Sequence, residues 1–189
     1  MPRRPKLLVI AGPNGVGKST FSRTAFAANF LLLDPDRYGI LPDVHDPITA
    51  GRLVVERVRA AIAGREDVVL ETTLSGRFPL KVLRDARRAG FDVTLVYVGL
   101  DDVKECLLRV RRRARSGGHD VPEVDVRRRF VRSLEALPGA IVLADRAFLY
   151  DNGNEQPYTL VARIDTKRCI LSGAVPDWAK PILTQFRRP

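Results

Sequence analysis

The stretch "KLLVIAGPNGVGKST", Lys6 to Thr20, decides the fold of this 189-residue chain. Lys6 to Gly12 is an unbroken apolar run closed by glycine, the pattern of a strand buried on both faces of a parallel sheet. Directly after it, Gly12, Gly17, Lys18 and Ser19 satisfy the spacing GxxxxGK[ST], and a helix is expected to begin near Lys18. The glycines let the backbone curl, so that the loop through Pro13, Asn14, Gly15, Val16, Gly17 and on to Thr20 turns N–H groups toward phosphate oxygens, with the helix dipole behind them. Lys18 is expected to reach the β- and γ-phosphates of ATP, and the Ser19 hydroxyl to complete a Mg²⁺ shell. A glycine turn with an incidental lysine is the competing reading, and the agreement of strand, loop and helix signals argues against it.

Outward from this loop, strand and helix signals alternate. Phe30–Asp34 reads as a second strand, and Asp46-Pro47 supplies the cap and first residue of a helix to about Gly64, with Val54, Val58, Ala61 and Ile62 on one face. Asp67–Thr73 is a third strand, followed by a helix over Pro79–Ala89 that Gly90 closes. Asp92–Leu100 is a fourth strand. Asp101 is expected to cap the next helix, where Val103, Leu107, Val110 and Ala114 share a face, and Pro122 to open another with Phe130, Leu134 and Leu137 inward. Arg146–Gly153 is a fifth strand, Tyr158–Gly173 alternates like a hairpin, and Pro176–Leu183 is a last turn or helix. The expectation is one α/β domain over residues 1–189: a three-layer, kinase-like P-loop NTPase fold with a five-stranded parallel sheet, an arginine-rich helical lid and a C-terminal β-hairpin. Ligands then gather at the carboxyl ends of the strands.

Bulk properties narrow the function classes. Apolar residues make up 45% and charged ones 29%, as in an ordinary globular domain, and no repeat or low-complexity tract interrupts them. The apolar run after the N-terminal arginines ends at Gly12, short of a secretory h-region, and no other run approaches the roughly 20 residues of a membrane span. A cytoplasmic protein without a membrane partner is expected. Cys106 and Cys169 stand alone, which suits reduced structural thiols better than a metal cage or redox pair.

Phosphoryl transfer to a hydroxyl needs a carboxylate that takes the proton and holds the acceptor in line. "LLLDPDRYG" delivers Asp34 and Asp36 just past the second strand, and "VVLETT" delivers Glu71, Thr72 and Thr73 at the end of the third. Asp36 is assigned as the base, with Glu71 orienting the acceptor or supporting the Mg²⁺ waters. Either carboxylate alone reads equally well as a turn or cap; both together at strand ends favour chemistry.

The net charge of +10 is concentrated between Arg109 and Arg132, where nine arginines face Asp120, Glu123 and Asp125. "RVRRRARSGGHDVP" admits three readings. As a nucleic-acid surface it lacks interleaved aromatics, Phe130 being the single one, so nucleic acid is disfavoured as a partner and Arg112, Arg115 and Arg132 read as a solvated face. As the LSGGQ-like signature of a transporter ATPase, "SGGH" should lead to an apolar strand ending Asp-Glu, which is missing. As a lid, about residues 109–132, it has Arg109 and Arg113 on one helical face, a Gly117-Gly118 hinge, and Arg127, Arg128 and Arg129 starting the return. Arg127 projects onto the arc of Phe130 and Leu134, a costly place for a charge unless an anion meets it.

Together "GPNGVGKST", "LLDPDRYG", "ETTLSG", "RVRRRARSGGHDVPEVDVRRRFVRSL" and "LADRAFLYDNG" resemble the zeta-toxin family of P-loop kinases in a short form, over residues 6 to about 153. The resemblance implies ATP-dependent phosphorylation of a small-molecule hydroxyl, that of UDP-N-acetylglucosamine in the better-known relatives, and an antitoxin partner. It implies that Lys18 grips phosphates, Asp36 is the base, Glu71 helps seat the acceptor, and Arg113 and Arg128 are the transition-state arginines. Nucleoside, tRNA-end and antibiotic kinases share the chemistry with other acceptors.

Overall fold

The computed structural model describes residues 3–25, 31–34, 47–118, 120–153, 157–166 and 168–186. Seven strands form one sheet: β1 (Lys6–Ala11), β2 (Leu31–Leu33), β3 (Val68–Thr72), β4 (Asp92–Gly99), β5 (Arg146–Asp151), β6 (Thr159–Asp165) and β7 (Cys169–Leu171). Their order is β2-β3-β1-β4-β5-β6-β7. The first five strands in that order pair in parallel, with β1 between β3 and β4. The sequence predicts five strands and a separate hairpin; instead β6 and β7 continue the same sheet antiparallel from β5. The ladder edge of β5 is available to β6, and the stretch between Asp151 and Thr159 is too short for the crossover that a parallel neighbour would need.

The helices are α1 (Lys18–Ala25), α2 (Pro47–Ala63), α3 (Arg77–Arg88), α4 (Val103–Arg115), α5 (Glu123–Leu143) and the short α6 (Lys180–Leu183). The pleat of β1 sorts them into two layers. Leu7, Val9 and Ala11 join a core with Val54 and Val58 of α2, Val82, Leu83 and Ala86 of α3, and Leu137 and Ile141 of α5. Ile10 on the opposite face packs with Phe21 of α1, Leu107 and Val110 of α4, and Val126 of α5. Burial of each such aliphatic side chain contributes about 1.5–3 kcal/mol, so the continuous apolar run of β1 belongs at the sheet centre.

Local signals hold to within a residue or two, with one correction. Asp102, not Asp101, caps α4, its carboxylate accepting from Lys104 N at 2.8 Å. Asp101 instead accepts from Trp178 N at 2.6 Å and so ties the segment before α6 to the end of β4. Trp178 lies on Gly99 so closely that a Cβ there would meet the indole at 2.4 Å. The indole Nε1 donates to the buried Asp151 at 2.9 Å. No helix among the described residues is long and apolar enough to cross a membrane.

Candidate active site

The carboxyl ends of β1, β3 and β5 open on a cleft of about 810 Å³. Its floor is the loop between β1 and α1. Gly15 and Gly17 hold φ of 83° and 97°, and a Cβ on Gly15 would lie 2.4 Å from the Cys106 carbonyl oxygen. Any other residue there would be strained and would collide with α4. Lys18 is buried, and its Nζ donates to Pro13 O at 2.8 Å, folded back over the loop. Asn14, Gly15, Gly17, Lys18, Ser19 and Thr20 all line the cleft, whereas the Val16 side chain points into the core.

The end of β3 supplies the second wall. Glu71 is buried and accepts from Ser19 Oγ at 2.6 Å and from Ser22 Oγ at 3.2 Å, so it sits at the motif serine. Thr72 and Thr73 line the cleft beside it. Thr72 Oγ1 accepts from Leu74 N at 3.1 Å and Thr73 bonds Ser75 at 2.8 Å; these two contacts hold a turn in which Leu74 adopts φ 55°. Asp34, just past β2, is buried and lines the same wall. The assigned base, Asp36, lies outside the described residues, as does His119 of the expected lid.

The helical hairpin α4–α5 forms the third wall, and here the sequence assignments shift by one residue. Arg109 and Arg113 share a face and both reach the cleft, as expected. From α5 it is Arg129 that enters, its Nη1 donating to Asn14 Oδ1 at 3.3 Å. Arg128 is turned outward and pairs with Asp125 at 2.8 Å. Arg127 is exposed too, bound to Glu123 at 2.7 Å, and that hydrogen bond holds the Glu123 carboxyl below its ordinary range. The buried stripe of α5 runs Val126, Ser133, Leu137, with Ser133 on the Tyr97 hydroxyl at 3.1 Å. Arg129 lies three residues after Val126 and four before Ser133, hence on that arc. A charged residue does occupy the inward face, and it is Arg129.

Asn152 and Tyr158, for which the sequence offered no role, complete the cleft. Asn152 follows the β5 strand end, the position where sheet topology places ligand contacts. Tyr158 precedes β6, and only its place after "YDNG" hints at it. Burial raises the pKa of its hydroxyl. Five cationic side chains, Arg23, Arg109, Arg113, Arg129 and Lys18, face two carboxylates, Glu71 and Asp34, across this space. Such an excess focuses a positive field on an anionic ligand.

A family model described as an AAA domain matches residues 7–137, from β1 into α5. The chain belongs to that AAA-domain family. An uncharacterized protein of Haemophilus influenzae is 32% identical over 129 residues, 66% of this chain and 92% of the relative. Among solved structures, one from the PezAT chromosomal toxin-antitoxin system of Streptococcus pneumoniae superposes with a TM-score of 0.65 at 16% identity, covering 97% of this chain and 85% of that one. The AvrRxo1-ORF1:-ORF2 complex with ATP gives 0.69 at 15%, covering 89% of this chain and 60% of that chain, somewhat under two thirds of its length. These likenesses establish an α/β P-loop NTPase-like fold with a mostly parallel sheet.

Proposed function

We propose that this AAA domain is an ATP-dependent phosphotransferase that moves the γ-phosphoryl group to a hydroxyl of a small molecule. The observation that carries the reading is convergence: Arg113 and Arg129, from two different helices, share one cleft with the glycine loop and Lys18. Guanidinium groups around the migrating charge are what transfer of a γ-phosphoryl group calls for. Lys18 would leave Pro13 O for the β- and γ-phosphates. The Ser19 hydroxyl with the Glu71 and Asp34 carboxylates is an all-oxygen donor set that fits Mg²⁺, whose chemistry would be to neutralise charge between the phosphates. The hydrogen bond from Ser19 to Glu71 supports the second of the two roles the sequence left open for this carboxylate, that of steadying the ion's shell.

Asp36, two residues beyond the cleft-lining Asp34, is assigned as the base that accepts the hydroxyl proton. Thr72 and Thr73 would bind the acceptor. The zeta-toxin resemblance supports a nucleotide sugar such as UDP-N-acetylglucosamine as acceptor, the toxin-antitoxin neighbour supports an antitoxin as partner, and the short apolar runs of the sequence support a cytoplasmic location.

The test is incubation with ATP, Mg²⁺ and a panel of nucleotide sugars, with mass spectrometry for a product heavier by one phosphoryl group. A Lys18→Ala protein should give none. Asp36→Asn should bind ATP normally and lose at least about 10²-fold in transfer. Tight ATP binding with no product from any nucleotide sugar would rule out the named acceptor class.

A further inference from the structure

The connection from β5 to β6 reaches back to the glycine loop through two side chains. Asn152 Nδ2 donates to Val16 O at 2.9 Å, and Tyr158 Oη donates to Gly17 O at 2.9 Å. The two are joined, since Tyr158 N donates to Asn152 Oδ1 at 3.4 Å. A trans peptide is planar, with its N–H opposite its C=O. Fixing the Val16 carbonyl on Asn152 therefore turns the Gly17 N–H away from Asn152, and fixing the Gly17 carbonyl on Tyr158 does the same for the Lys18 N–H. Gly17 O also accepts from Thr20 N and Phe21 N at the start of α1.

We infer that Asn152 and Tyr158 are positioning residues for the phosphate cradle: they aim two consecutive backbone N–H groups at the nucleotide's phosphates before any nucleotide arrives. The close fit agrees. A Cβ on Gly17 would come within 2.7 Å of Asn152 Nδ2 and 2.8 Å of Tyr158 Oη, so the contact shape demands glycine as strongly as its φ does. Both residues are held in turn. Asn152 N donates to Gly99 O at 3.1 Å, and the Tyr158 ring stands edge-on to Phe21 at 5.2 Å.

The brace also touches the arginine hairpin. Arg109 donates to Asn152 O at 2.8 Å and is paired through the same nitrogen to Glu105, four residues back on α4. Arg113 follows one turn later on the same face of the cleft. One residue thus registers α4 against the floor of the site, and the peptide that faces the phosphates shares its support with the helix that carries a charge-stabilising arginine.

The inference rests on the reading of this cleft as a nucleoside triphosphate site, and it makes a claim that general loosening of the fold would not reproduce: the loss must scale with phosphate. Calorimetric titration of the full chain with ATP, ADP and adenosine checks it. In Tyr158→Phe, which removes only one hydroxyl, and in Asn152→Ala, which removes the amide donor without adding charge, ATP and ADP affinity should each fall by about threefold to tenfold, the size of one neutral hydrogen bond, while adenosine affinity stays unchanged. Tyr158→Phe should melt within about 2 °C of the parent, because Thr20 N and Phe21 N still serve Gly17 O. Equal weakening of adenosine would overturn the inference in favour of a base contact, and unchanged ATP affinity in both variants would overturn it outright. Both results are read from binding, so a parent protein that binds ATP yet phosphorylates no acceptor would refute the phosphotransferase reading and leave this one to be judged alone.

Discussion

Arg129, on the return helix of the arginine hairpin, donates to Asn14 in the glycine loop at 3.3 Å, spanning the cleft from wall to floor. The neighbouring Arg128 points the other way, onto Asp125. The two therefore separate by experiment. Arg129→Ala should lower the turnover of phosphoryl transfer by about 10²- to 10³-fold, the loss typical of a charge-stabilising donor. Arg128→Ala removes an exposed i,i+3 pair and should change turnover by less than about threefold. Steady-state kinetics on both variants decides; comparable losses would mean that α5 turns when substrate binds.

Glu71 accepts from both Ser19 and Ser22, beneath the hydroxyl expected at the metal. Glu71→Gln keeps the shape and removes the charge. The Mg²⁺ concentration giving half-maximal activity should rise by about tenfold or more, whereas metal-free nucleotide binding should hold or improve. Activity measured across a Mg²⁺ titration supplies the check.

Gly15 combines a φ of 83° with a 2.4 Å approach to a backbone oxygen of α4. Gly15→Ala should cost about 2–4 kcal/mol, or about 4–16 °C in melting temperature for a chain of this size. Because the colliding atom belongs to Cys106 on α4, the damage should extend to the arginine hairpin. Hydrogen exchange in Val103–Arg115 should accelerate more than in β4, and equal acceleration would show that the strain spreads through the sheet.

The fold was legible where two signals coincided in the sequence. An apolar run ending in a glycine loop fixed β1 and α1, and Val54, Val58 and Ala61 at helical spacing fixed the buried face of α2. Errors arose where periodicity gave a face without fixing its phase. Phe130 and Leu134 are only half-buried, while polar Ser133, bonded to Tyr97, is fully buried; the true arc is turned by about one residue and carries Arg129 in place of Arg127. Asp101 and Asp102 are equally good caps in sequence, and only the approach of Trp178 separates them. Asn152 and Tyr158 escaped notice because they act on backbone carbonyls across more than 130 positions of chain, a relationship that no local pattern encodes.

Cys106 is fully buried behind the glycine loop, and burial pushes its thiol pKa up from 9.0 to about 12. Its folded value lies above its unfolded one, so the associated stability is complete below about pH 9 and is lost as pH climbs toward 12. Within that window an unfolded thiolate forms that the folded state refuses, at up to about 1.4 kcal/mol per pH unit. Thermal melts of Cys106→Ala should depend less steeply on pH between 9 and 10 than those of the parent. Above that, Tyr97, also raised by burial, adds the same trend in both proteins. Parallel slopes would show that the thiol does not control alkaline unfolding.

The indole of Trp178 lies tilted against Tyr97, ring centres 5.5 Å apart, and donates to Asp151, the residue joined to Asn152, whose amide in turn grips Val16. Trp178 is also the sole tryptophan of the sequence. The molecule thereby contains a single indole fluorophore, linked to its glycine loop by two hydrogen bonds and one peptide link. Ligand occupancy is expected to register as a change in indole fluorescence, with no dye attached and no second tryptophan to confound the signal.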